Sequence, residues 1–367
     1  MSQPAVAELA DELIAEGGER ALQIAVVRDG ETIVDVAAGS LEGEPAGGGS
    51  AIDSGTLFPV FSVSKGVTAL VAYRAVAQGR LAFDLPVAEV WPEFAANGKS
   101  DITVGEILAH ASGLARLPDV AGFDEFCSWD TMVRLLADAV PDHRGRVGYH
   151  ALTYGWLIGE TVRRAGGDPR GFGEIMRAEL FDTGPGDFWF GIPDEVEPRI
   201  ATVVREVAPV DDGRPLLSAL PLRFATVQEV YGRPDVRRAC LPGVNGIGNA
   251  RSLASLYARA ASGALVDPAV LDEGLRPRSA ATDSLMGTFV ARGLGFYVGV
   301  GQDATWAPPF DAGQRTFGHP GAGGSFAWGD RASGTGFAIC RSRLTADGWQ
   351  HENMQRLIRS AGDAAGR

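Results

Sequence analysis

The strand-forming segments of this chain lie at its two ends, and the middle is written in helical periods. Near the start, "ALQIAVVRDGETIVDVAAG" holds two β-rich runs around Asp29-Gly30, a pair suited to a tight hairpin turn. Near the end, "GLGFYVGVG", "GSFAWGDRAS" and "GTGFAICRSRL" read as strands joined by tight turns, and a last helix covers roughly residues 350 to 363. Strands need partners. Runs at both ends with helices between them predict an α+β fold: one antiparallel sheet built from both termini and flanked by helices, with an all-helical lobe inserted. The boundaries read as 1–55 with 265–367 for a discontinuous α/β lobe, and 56–264 for the mainly helical lobe. A chain of 367 residues is long enough for both.

Within the middle, "FSVSKGVTALVAYRAVAQGR" is apolar nearly all round, so its helix is expected to be buried, with Gly79 ending it. "DITVGEILAHASGL" starts a helix at Thr103 with Glu106 three residues on, the capping-box pattern. "NARSLASLYARAASG" is amphipathic. Residues 120 to 265 otherwise alternate helical stretches with Pro/Gly loops.

Bulk properties exclude several functions. The net charge is −13, which disfavours nucleic acid and anionic membrane surfaces as partners. No apolar run reaches the roughly 18 residues of a membrane span. The acidic N-terminal segment lacks the pattern of a secretory signal, so the expected location is cytoplasmic. The three cysteines are scattered and the five histidines form no ligand spacing, so neither a metal nor a cofactor is expected.

One residue pair carries chemistry. Lys65 is one of two lysines in the chain, with Lys99, in a protein that otherwise writes its positive charge as arginine. Ser62 precedes it by three residues, so hydroxyl and amine share a helix face. A serine needs a base to become a nucleophile. A lysine desolvated among apolar neighbours has its pKa lowered and can be that base, whereas arginine stays protonated. Near a helix N-terminus, free N–H groups can hold an oxyanion. The competing reading is a helix cap with a Lys whose head reaches solvent. Ser64 is a second hydroxyl, pointing elsewhere on the helix. Asn245 and Gly246 form a loop that either lines a cleft or is a plain turn. Trp156 and Trp328 either shape an apolar pocket or belong to the core.

"LFPVFSVSKGVTALVAYRAVAQGRLAFDLPV" followed by "ITVGEILAHASGL" resembles the serine β-lactamase/penicillin-binding-protein superfamily, most closely its class C-like branch with family VIII carboxylesterases and related acyltransferases. The likeness spans nearly the whole chain and implies a cleft between an α/β lobe and a helical lobe. It implies that Tyr149, in "GYHALTYGWLIGE", activates Ser62 together with Lys65 and protonates the leaving group. His150 follows it as a substrate-binding candidate. Ala151 departs from the Asn of true β-lactamases. Tyr154 lies nearby. In "FGHPGAGGSFAW", His319 stands where the family's Lys-Thr-Gly motif has lysine, Gly321 permits close approach, and the Ala322 N–H becomes the second oxyanion donor. Losing that lysine removes a cation that would pair with a β-lactam carboxylate.

The function this implies is a serine acyl-transfer enzyme. It forms an acyl-Ser62 intermediate from a small-molecule ester, thioester or amide and passes the acyl group to water. The alternatives are a small-molecule acyltransferase, a D-amino-acid amidase or peptidase or weak β-lactamase, and an inactive binding protein of the same fold. The partners are a small-molecule acyl donor and, for a transferase, a small-molecule acceptor.

Overall fold

The computed structural model describes residues 3–44, 48–182, 186–205, 216–225, 227–298, 316–345 and 348–366. Its strands are β1 (Ala21–Arg28), β2 (Glu31–Gly39), β3 (Phe58–Phe61), β4 (Phe188–Trp189), β5 (Val204–Arg205), β6 (Gly246–Gly248), β7 (Ser279–Thr282), β8 (Phe289–Arg292), β9 (Tyr297–Val298), β10 (Thr316–Pro320), β11 (Phe326–Asp330), β12 (Thr335–Arg341) and β13 (Arg343–Leu344). Eight of them form one antiparallel sheet in the order β2-β1-β12-β11-β10-β9-β8-β7. The two chain ends therefore meet within it, one strand in from the β2 edge: β1 pairs with β12 from Leu22 opposite Arg341 to Arg28 opposite Thr335.

The sequence pattern explains the layering. In β1 nearly every residue is buried, because both faces are covered. Leu22, Ile24 and Val26 face helix α1 (Gln3–Ala15) and the C-terminal helix Glu352–Ala364, in a core they share with Val34, Val36, Leu357 and Ile358. Ala21, Ala25 and Val27 point the other way, into the larger core with the helix Ala250–Ala261 and the middle of the chain. The edge strand β2 alternates instead, as a strand with one covered face does. Asp29 and Gly30 both take positive φ, 54° and 80°, as the tight hairpin turn requires.

The helices that matter for the site are α2 (Val63–Ala77), α3 (Val104–Leu108), α4 (Phe123–Cys127), α5 (Trp129–Asp138) and α6 (Thr153–Gly166). α2 is buried along almost its full length. Gly79, with φ 70°, follows its end, where the Gly79 and Arg80 N–H groups donate to the Val76 and Ala75 carbonyls. The Thr103/Glu106 capping box starts α3, with bonds of 3.2 and 2.9 Å. Among the described residues no helix is long and apolar enough to cross a membrane.

Candidate active site

Ser62 sits at the junction of β3 and α2. The residue before it, Phe61, is a bulky aromatic held at φ 49°, a conformation that costs on the order of 1–3 kcal/mol. Burial and an edge contact with Tyr231 hold it there. Ser62 is the N-cap of α2, yet its hydroxyl makes no capping bond. It faces Lys65 instead, whose Nζ lies 3.2 Å from Oγ, and the Tyr149 hydroxyl lies beside it.

The Lys65 amine does not reach solvent, because the residue is fully buried. Nζ donates to the Ala151 carbonyl at 2.7 Å and to the Gly243 carbonyl at 2.6 Å, and lies 4.8 Å from the Tyr149 ring centre. A neutral amine has two N–H groups and one lone pair. Two carbonyls and one hydroxyl surround Nζ: a charged head would donate to all three, and a neutral amine would donate to the carbonyls and keep its lone pair for Ser62. Burial, and after it the Arg292 cation, holds the amine well below the ordinary value of 10.5. Both causes disfavour the charged form, and in the neutral form the Ser62 O–H can donate to Nζ. Gly155 makes the second carbonyl possible: a Cβ there would run into the Gly243 backbone, so only glycine lets α6 approach this loop.

Tyr149 is buried, and burial raises the affinity of its hydroxyl for the proton, so it stays neutral at pH 7. A standing phenolate is therefore disfavoured at this position. His150 is committed elsewhere. Its Nδ1 is 2.7 Å from the Gly148 carbonyl and Nε2 2.8 Å from Ser112 Oγ, and burial brings its pKa down to about 4. The His150 backbone N–H donates to His110 Nδ1 at 3.1 Å, so the two histidines shape the turn that presents Tyr149.

His319 on β10 stacks 6.2 Å from Tyr149. Nδ1 lies 2.7 Å from the Pro320 carbonyl, so that nitrogen carries the hydrogen. Burial first, then Lys65, holds the ring well below the ordinary value of 6.5. The position thus offers a neutral ring with a bare acceptor nitrogen, where a lysine would offer a cation. Gly321 follows at the strand's end; a Cβ there would run into the Val60 carbonyl. That contact brings β10 against β3 two residues before Ser62, and Ala322 is exposed just beyond it.

Other predicted residues fall outside this cluster. The buried Ser64 hydroxyl accepts the Gly246 N–H at 2.8 Å. Asn245 uses its amide within its own loop: Oδ1 accepts the Leu241 N–H, and Nδ2 donates to the Val236 and Ala239 carbonyls. It shapes the loop that carries Gly243 and does not point its amide at a ligand. Trp328 lies opposite Gly318 and packs with Phe337 and the terminal helices, on the far side of the sheet from the core that contains α2. Tyr154 is fully buried beside His110.

Residues that the sequence reading missed include the Ala151 and Gly243 carbonyls, Ser112, and the buried pair Arg292–Asp283 at 2.6 Å. An arginine inside the apolar run "TFVARGLGFYV" was a visible signal for the last. The carbonyls had none.

The family model described as Beta-lactamase matches residues 6–359. Esterase/beta-lactamase LipL of Mycobacterium tuberculosis (strain ATCC 25618 / H37Rv) is 32% identical, over 88% of this chain and 76% of that protein. The crystal structure of a family VIII carboxylesterase superposes with a TM-score of 0.87 at 26% identity, covering 98% of this chain and 97% of that one. A penicillin-binding protein homologue from Caulobacter crescentus gives 0.85 at 30% identity, covering 99% and 97%.

Proposed function

The chain belongs to the beta-lactamase family, and from that premise we propose that it is a serine acyl-transfer enzyme that hydrolyses small-molecule esters, with Ser62 as nucleophile and Lys65 as base. The observation that carries the reading is the Lys65 amine: buried, anchored by two carbonyls, and aimed at Ser62 Oγ. The Ser62 hydroxyl gives its proton to Nζ while Oγ bonds to the ester carbonyl carbon. The carbonyl π electrons move to oxygen, where the Ser62 and Ala322 N–H groups are the proposed donors. When that oxyanion collapses, the C–O bond to the alcohol breaks, and the leaving oxygen takes a proton through the Tyr149 hydroxyl, which is replenished from Lys65. Water then repeats the sequence in reverse roles and releases the acid.

His319 supports an ester over a β-lactam. A neutral ring gives no fixed charge to a carboxylate, so the favoured acyl donor carries none at that position. The name of the Mycobacterium relative joins both activities, and this feature favours the first of them here.

Intact-protein mass spectrometry after incubation with p-nitrophenyl esters and a fluorophosphonate tests the reading on wild type and Ser62→Ala. The expected result is an adduct on wild type alone, with p-nitrophenol released. Added alcohols or amines that divert the acyl group would replace water as the acceptor and make the protein a transferase. No adduct with either probe would overturn the reading and favour a binding protein.

A further inference from the structure

The ion pair behind Tyr149 has no part in these proton transfers, and no motif contains it. Arg292 ends β8, and Asp283 follows β7; they are 1% and 0% exposed. Arg292 Nη1 donates to Asp283 Oδ2 at 2.6 Å and Nη2 to the Tyr297 hydroxyl at 2.9 Å. Its guanidinium lies 5.2 Å from the Tyr149 ring centre and 4.8 Å from that of Tyr297. The other oxygen of Asp283 accepts the N–H groups of Tyr149, Leu285 and Met286, at 3.2, 2.9 and 2.9 Å. One carboxylate therefore fixes both the backbone of Tyr149 and the cation beside its ring.

A buried ion pair is weak evidence for stability, since well-packed apolar residues often serve as well. Its position suggests another role. Lys65 Nζ lies 4.8 Å from the same Tyr149 ring centre, so the two basic groups are at most 10 Å apart, the sum of their distances to it. We propose that Arg292, oriented by Asp283 and Tyr297, is a positioning residue for proton transfer: its permanent charge opposes a second cation at Lys65 and keeps the Lys65 lone pair available to Ser62. The inference rests on the reading of Ser62, Lys65 and Tyr149 as acyl-transfer machinery.

The other titratable groups around this centre are Tyr149 and His150 from the turn before α6, His110 after α3, His319 on β10 and Tyr297 on β9. Burial holds all three histidines below their ordinary range, so they are uncharged at pH 7. Arg292 itself cannot switch, because a guanidinium stays protonated. Asp283 acts with the opposite sign. Through a buried path the field is weakly screened, so the Arg292 charge disfavours protonation of Lys65.

The test is the pH dependence of acylation by p-nitrophenyl acetate, with thermal unfolding of each variant measured alongside. Arg292→Gln is expected to move the acid limb up by about one pH unit, a roughly tenfold loss below the limb. The high-pH plateau should stay within a few-fold of wild type. Arg292→Lys restores the limb. Asp283→Asn moves it down, because the cation is then less compensated. If Arg292→Gln does not fold, the double variant Arg292→Gln/Asp283→Asn removes both charges and reads an upward shift smaller than that of the Arg292 charge alone, because the two effects oppose each other. An unmoved limb, shifts of one sign in Arg292→Gln and Asp283→Asn, or loss of the fold in the double variant as well would overturn the inference and leave the pair structural. A wild-type protein that releases no p-nitrophenol and takes no label at Ser62 would instead overturn the acyl-transfer reading.

Discussion

Lys65 and Lys99 are the chain's two lysines, and their surroundings are close to matching. Both are fully buried. Both donate to two backbone carbonyls: Ala151 and Gly243 for Lys65, Ala96 and Ala139 for Lys99. Both lie near an aromatic ring, at 4.8 Å from Tyr149 and 5.5 Å from Phe94. Burial lowers the proton affinity of each. The difference is in what else is present. Lys65 has a hydroxyl at its third position and a cation behind the ring, whereas Lys99 has Asp138, which draws its affinity back up. Both lysines thus fill a place that arginine's planar fork does not fit, a compact amine head between two carbonyls. Such a place does not by itself mark a base. In the proposed reading, a hydroxyl within reach and the sign of the neighbouring charge distinguish the base.

That contrast can be broken by substitution. Lys65→Arg and Lys65→Met are both expected to lower the acylation rate by about 10³-fold or more, the upper part of the range for general-base catalysis. Stopped-flow release of p-nitrophenol measures this, and near-normal activity of Lys65→Arg would remove the proton-acceptor account. Tyr149→Phe is expected to cost about 10²-fold, with the melting temperature within a few degrees of wild type. Lys99→Met should leave turnover within about twofold while destabilising the fold by about 2 kcal/mol, because two buried carbonyls lose their donor. Urea unfolding reads that loss. If Lys99→Met abolishes activity instead, the two lysines are not separable. Ser64→Ala gives the smallest effect, about 1 kcal/mol from the Gly246 N–H left without its acceptor, with activity retained.

The pH dependence sharpens the same comparison. Lys65 has a folded pKa below 10.5, so the unfolded chain binds the proton more readily. Stability therefore rises with pH between the folded value and the ordinary one, and is lower below that window. Lys65→Met should flatten this slope, which equilibrium unfolding at several pH values detects.

Features fixed by a few adjacent residues were legible in the sequence. Asp29-Gly30 set its turn, Thr103 and Glu106 their capping box, and Gly79 its helix end, because each uses atoms within a few residues. The Ser62–Lys65 pair was legible for the same reason, one helical turn apart. The Gly243 carbonyl lies 178 residues from Lys65, and the Arg292–Asp283 pair reaches Tyr149 only through the tertiary fold. Trp328 shows the same limit: alternation along β11 gives it a face of the sheet but not which face looks toward Ser62. Asn245 was one of two open readings, and its three bonds to its own loop depend on how that loop closes.

The pairing of β1 with β12 has a consequence for synthesis. Arg28 finds Thr335 about 300 residues later, so at roughly 5–20 residues per second β1 waits about 15–60 s for its neighbour. During that interval "ALQIAVV" is an apolar strand with one open edge, the kind of template that pairs with the wrong chain. The nascent protein should therefore depend on chaperones until its C-terminal strands emerge, and a chain stopped before β12 should aggregate instead of yielding a stable helical remnant.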